Sequence, residues 1–134
     1  MNGYDITPEV SVVVPMYNEE ESIADTVHQL RDALNRLTED WEIVLVNDGS
    51  TDRTYEVAAE VAQDIPEVRI VSYQPNGGRG KALRTGLAHA RGDIIAVGIV
   101  SLPDITTGFR VPVEEGELAI GARLRNLRLY YTHY

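Results

Sequence analysis

The sequence predicts an α/β domain with a mostly parallel sheet flanked by helices. Three observations carry that expectation. Short β-branched apolar runs recur along the first hundred residues, stretches with helical apolar spacing separate them, and a cluster of polar residues follows each of the first three runs. Strands alternating with helices imply right-handed crossovers and a parallel sheet covered on both faces.

Each element has its own signal. Val10–Val14 is a β-branched run closed by Pro15 and reads as a buried strand. Asn18 then reads as a helix N-cap, with Glu21 three residues later completing a capping box. Glu19, Glu20 and Glu21 sit where the helix dipole favours negative charge. Ile23, Val27, Leu30, Leu34 and Leu37 follow at helical spacing and predict one buried face.

Trp41–Val46 is a second strand, closed by Asn47-Asp48-Gly49-Ser50. Ser50 or Thr51 is expected to cap a helix that turns Tyr55, Ala58, Ala59 and Ala62 inward. Val68–Tyr73 is a third strand. A glycine-rich loop, Asn76–Gly80, leads into a helix with Leu83, Leu87 and Ala90 on one face, ended by Gly92. Ile94–Val97 is a fourth strand. Beyond it the alternation weakens: Pro103, Gly108, Pro112 and Gly116 punctuate the chain, Leu118–Ile120 fits one more strand, and Arg123–Tyr134 is basic, then aromatic. In such sheets ligands bind beyond the carboxyl ends of the strands, at the switch in strand order. The polar clusters should therefore share one edge.

Composition narrows the classes. The 134 residues suit a single domain, and 43% apolar with 25% charged residues is globular composition. With no cysteine, disulfides, thiolate catalysis and Cys-ligated zinc are excluded. Met1–Glu9 has no apolar core, so no signal peptide is expected, and Ile94–Val100 is too short to span a bilayer. The expected location is cytoplasmic, or peripheral at the cytoplasmic face of a membrane. A net charge of -9 argues against nucleic-acid binding. Residues 1–68 carry 16 acidic and 3 basic side chains against 5 and 9 in residues 69–134, so a phosphate-bearing ligand is better received by the second half.

Two common phosphate motifs fail. A dinucleotide site needs G-x-G-x-x-G after the first strand, where this chain has Pro15-Met16-Tyr17-Asn18-Glu19. A P-loop fails because Ala82 follows Gly80-Lys81 and Pro75 occupies the first glycine position. What the chain does carry, in order, is Val14-Pro15-Met16-Tyr17-Asn18-Glu19, Val46-Asn47-Asp48-Gly49-Ser50-Thr51-Asp52, Gly77-Gly78-Arg79-Gly80-Lys81-Ala82-Leu83 and Ala90-Arg91-Gly92-Asp93. Taken singly, Pro15 and Tyr17 fit a turn, Asp48 a turn or cap, Gly77–Gly80 a plain connection, and Asp93 a cap.

Together these motifs resemble the family-two glycosyltransferases of GT-A fold, and most of all dolichyl-phosphate sugar synthases. The resemblance is strong over residues 10–97 and returns weakly at Ala119–Arg123. It implies a Rossmann-like nucleotide-diphospho-sugar transferase domain, with residues 1–97 binding the nucleotide sugar and residues 98–134 a divergent, shortened acceptor side. The implied reaction transfers a sugar from a UDP- or GDP-linked donor to an acceptor such as dolichyl phosphate. At the matching positions it implies that Pro15, Tyr17 and Glu19 line the base and ribose pocket, that Asp48 accepts hydrogen bonds from the base, that Lys81 faces phosphate, and that Arg123 faces the acceptor phosphate.

The resemblance also implies Mg²⁺ or Mn²⁺ held by Asp-x-Asp just after the fourth strand. The place here reads Gly98-Ile99-Val100, whose side chains cannot ligate a hard cation. Three readings stay open: an inactive nucleotide-sugar-binding module, a substitute carboxylate at Asp104 or Asp93, or an altered segment. His28, His89 and His133 lack paired metal spacing. Tyr130, Tyr131 and Tyr134 fit a frayed terminus or a partner contact.

Overall fold

A computed structural model describes residues 8–98. Arg123, Asp104, the expected strand at Leu118–Ile120 and the aromatic tail lie outside the described residues. The elements are β1 (Val10–Met16), α1 (Ile23–Leu37), β2 (Trp41–Asp48), α2 (Thr54–Gln63), β3 (Val68–Tyr73), α3 (Arg79–His89) and β4 (Ile94–Val97).

The sheet order is β3-β2-β1-β4, and every pairing is parallel. The chain steps from β1 to β2 to β3 in one direction, then returns to pair β4 on the far side of β1. Right-handed crossovers put α1 and α2 on one face and α3 on the other. The core divides accordingly. Val12, Val14, Met16, Ile43 and Leu45 pack with Ile23, Val27, Leu30 and Leu34 of α1 and Ala58 of α2. Val13, Val44 and Val46 pack with Ala82 and, half-buried, Leu83 and Leu87 of α3. Gly86 lets α3 approach closely, because a Cβ there would collide with Val13.

β1 runs past Pro15 to Met16, and the ladder explains how. The Val13 carbonyl accepts from the Gly98 amide at 2.8 Å, so odd residues of β1 aim their backbone groups toward β4. The β4 pairing ends at Val13 opposite Val97. Pro15 therefore faces the side where no ladder bond is missed.

Four sequence expectations need correction. First, α1 begins at Ile23 with Ser22 before it, so Asn18 does not cap it and no capping box forms. Glu19–Glu21 precede the helix, and the Glu19 carbonyl accepts the amides of Ser22 and Ile23 in a turn. Second, α2 begins at Thr54, later than a Ser50 or Thr51 cap would place it; the Asp52 carboxylate takes the Thr54 amide at 2.9 Å. Third, Tyr55 is exposed, on the outward side of a first turn whose buried residue is Thr54; Ala58, Val57, Val61 and Ala62 carry the inner face. Fourth, α3 ends at His89, before Gly92, whose amide instead donates to Ser11 Oγ at 2.7 Å.

At the amino edge of the sheet the Glu42 side chain is 2% exposed. It accepts from Ser11 Oγ at 2.6 Å, from the Arg91 amide at 2.8 Å, and from the guanidinium groups of Arg69 at 2.9 Å and Arg91 at 3.1 Å. Burial pushes its carboxyl up, but the bonds from Ser11, the Arg91 amide and Arg69 outweigh that and hold it below its ordinary value.

Candidate functional site

The clusters that follow β1, β2 and β3 meet at the carboxyl edge of the sheet. They enclose a cavity of about 280 Å³, lined by Pro15, Met16, Tyr17 and Glu19 after β1, Asp48 at the end of β2, and Asn76, Gly78 and Arg79 before and within α3. Pro15, Tyr17, Glu19 and Asp48 are thus brought together. Lys81 is not on this wall; its ammonium stands 4.3 Å from the centre of the Tyr73 ring.

Asp48 is the most heavily bonded group of the site and is 4% exposed. One carboxylate oxygen accepts the Tyr73 hydroxyl at 2.6 Å and the Gly77 amide at 2.9 Å. The other accepts Asn76 Nδ2 at 2.8 Å and the Gly78 amide at 3.1 Å. An ionised carboxylate offers about four lone-pair sites, so all are filled by the chain's own donors. Burial, then the bond and charge of Asp48, push the Tyr73 hydroxyl well above its ordinary value, against the pull of Arg84. Gly49, at φ 66°, lets β2 turn away while the backbone of Pro75 and Asn76 passes closer than any Cβ would allow.

Arg79 supplies the cation of the cavity wall, and sequence reasoning missed it. The glycine-rich stretch reads as a loop up to Gly80, but α3 starts at Arg79, with Gly78 before it at φ 92°. The guanidinium therefore sits at a helix start, where the dipole and the free first-turn amides favour an anion. In the sequence, the Gly77-Gly78 pair directly before a basic residue is the signal that could have located that start, since glycine readily takes the positive φ seen at Gly78. Opposite it, burial foremost and then the charge of Asp52 raise the Glu19 carboxyl above its ordinary value, against the pull of Arg79.

The loops after β1 and β2 are bonded to each other. Asn18 donates its amide to Ser50 Oγ at 3.0 Å and accepts the Thr51 amide at 2.8 Å. The Glu19 amide donates to Thr54 Oγ1 at 2.7 Å, and the Arg53 amide to Glu20 Oε1 at 2.8 Å. A second cavity, of about 390 Å³, lies across this junction, lined by Asn47, Ser50, Asp52, Tyr55, Glu56, Ser72 and Gln74. With two carboxylates and no basic side chain on its wall, it suits an anionic ligand poorly.

The residues described here do not fit a hard cation. Among them no group of three or more His, Asp or Glu side chains converges. Asp93 directly precedes β4, which places it at the amino edge of the sheet, opposite the cavity, and removes it as a substitute ligand. Gly98 follows β4 at the correct edge but has no side chain to offer. Ile99 and Val100 lie outside the described residues.

Comparison with known proteins places these features in a family. Residues 11–97 match the sequence model described as Glycosyl transferase family 2. The chain is 40% identical over 93 residues to an undecaprenyl-phosphate 4-deoxy-4-formamido-L-arabinose transferase of Pectobacterium carotovorum, covering 68% of this chain and 28% of that protein. It is 36% identical over 91 residues to a dolichyl-phosphate beta-glucosyltransferase of Trichomonas vaginalis, covering 64% of this chain and 28% of that one. Among solved structures, a mannosyltransferase of Pyrobaculum calidifontis in complex with GDP-Man and Mn²⁺ superposes with a TM-score of 0.55 at 28% identity, over 72% of this chain and 30% of that chain. The chain spans less than a third of the length of each.

Proposed function

The chain belongs to glycosyl transferase family 2, and from that premise we propose that residues 8–98 form the donor-binding half of an enzyme that transfers a sugar from a UDP- or GDP-linked donor to a lipid phosphate. One observation carries the reading: Tyr17, Asp48 and Arg79, drawn from three separate stretches of the chain, share one cavity at the carboxyl edge of a parallel sheet. Pro15 and Tyr17 supply an apolar wall for a base, and Glu19 a carboxylate for the ribose hydroxyls. Asp48 accepts the imide or amide hydrogens of the base once one of its present donors yields. Arg79 and the start of α3 receive the diphosphate, and Lys81 adds positive charge two residues on.

In the proposed reaction an oxygen of the acceptor phosphate attacks the anomeric carbon, and the bond to the donor diphosphate breaks with its electron pair. The attacking oxygen is already anionic, so no strong base is required. Arg123 belongs to this acceptor side by resemblance. A divalent cation, where bound, neutralises the departing diphosphate; the described residues supply no ligands for it, and no step here is routed through one. Relatives named for undecaprenyl and dolichyl phosphate support a lipid-phosphate acceptor and, with it, a peripheral position at a membrane surface. No described helix is long and apolar enough to cross a membrane.

Calorimetric titration with UDP- and GDP-sugars, with and without Mn²⁺, tests donor binding, and release of UDP or GDP in the presence of a polyprenyl phosphate tests transfer. Binding with transfer is the expected result. Binding without transfer would favour the inactive module that Gly98-Ile99-Val100 suggests, and silence with every donor would end the proposal.

A further inference from the structure

This inference rests on the donor-binding reading and concerns Asn18, to which that reading gives no task. Tyr17 is 44% exposed, and among the described residues no group hydrogen-bonds its hydroxyl. An exposed ring without such a partner is aimed by its backbone. That backbone turns at Asn18, whose φ of 53° is the left-handed conformation that asparagine tolerates better than most side chains.

The turn is pinned from both sides. The Asn18 amide donates to Ser50 Oγ at 3.0 Å, while Asn18 Oδ1 accepts the Thr51 amide at 2.8 Å and the Thr51 hydroxyl at 3.3 Å. The next amide, of Glu19, is held by Thr54 Oγ1 at 2.7 Å. Ser50 and Thr51 lie on the loop that leaves β2 just after Asp48, and Thr54 opens the helix that follows it. We infer that Asn18 is a positioning residue: it ties the Tyr17 ring to the loop that begins at Asp48, so that the two walls of the nucleotide cavity keep one spacing.

The test is calorimetric titration of the full chain with UDP and with GDP, each with and without Mn²⁺. Asn18→Gly keeps the left-handed turn accessible but removes Oδ1. It is expected to weaken binding about tenfold, the worth of one or two hydrogen bonds. Ser50→Ala, which removes the acceptor of the Asn18 amide and leaves the Asn18 side chain in place, is expected to weaken binding in the same direction and carries the test if Asn18→Gly does not fold. In a Tyr17→Ala background, where the aimed ring is gone, Asn18→Gly should cost less than about twofold more, since changes acting through one group do not add. A general loosening of the fold would instead add in full. Variants that bind as tightly as the unaltered chain, or the same tenfold loss in the Tyr17→Ala background, would overturn the role of Asn18 alone. An unaltered chain that takes up neither UDP nor GDP would overturn the donor-binding reading and this inference with it.

Discussion

β2 carries a buried carboxylate at each end, on the same face of the sheet: Glu42 and Asp48 are 2% and 4% exposed. Glu42 is met by two guanidinium groups, from Arg69 and Arg91, besides Ser11 and a backbone amide. Asp48 is met by neutral donors only, the Tyr73 hydroxyl, the Asn76 amide and the Gly77 and Gly78 backbone. A carboxylate neutralised by fixed cations is a fastener, because losing it strands charge at the amino edge. One satisfied by neutral donors keeps its charge and can exchange a donor for a ligand's. The same strand thus staples the fold at one end and presents a site at the other.

Substitution separates the two roles. Asp48→Asn is expected to give the largest effect, a loss of nucleotide affinity of about a hundredfold in calorimetry, since hydrogen bonds to a charged acceptor are worth about 1.5–3 kcal/mol. Comparable binding by this variant would erase the distinction. Glu42→Gln is expected to leave affinity unchanged and to lower unfolding stability in urea at neutral pH by about 2 kcal/mol, the scale of a lost charge-assisted bond. Its pH profile sharpens the point. The folded-state value of Glu42 is depressed, so its contribution is fully present above the ordinary carboxyl value of 4.5 and is lost as pH falls through the lower folded value. The Gln variant should lack that part of the acid slope. The smallest effect separates two cations in the first turn of α3: Arg79→Ala, on the cavity wall, should weaken nucleotide binding about tenfold, and Lys81→Ala, over Tyr73, only about threefold, as a removed charge contact compares with a more distant one.

Most of the framework was legible because it is written locally. Val10–Val14, Trp41–Val46 and Ile94–Val97 are largely apolar runs that suit strands covered on both faces, Val68–Tyr73 is a half-buried edge run, and all four lie in strands of the sheet. What escaped is written in tertiary contacts. Asn18-x-x-Glu21 matches a capping box, yet Thr51 and Ser50 claim Asn18 from a loop more than thirty residues away. Tyr55 lies three residues from Ala58, but the first turn of α2 buries Thr54 and leaves Tyr55 to solvent. Arg69 and Arg91 stand 27 and 49 residues from Glu42, too far for any periodicity to join them. Arg79 was hidden by a helix start two residues earlier than the glycines suggest. Four of the expected site residues, Pro15, Tyr17, Glu19 and Asp48, do meet at one cavity, while Lys81 stands one aromatic ring away.

Gly86 and the fully buried Ala82, one turn apart, seat α3 on the sheet against Val13 and Val46. Arg79 lies seven residues before Gly86, about 10 Å along the helix axis at 1.5 Å per residue. A side chain at position 86 would meet Val13 and push the helix outward, so the absence of a single methyl group there helps set where the guanidinium stands over the cavity.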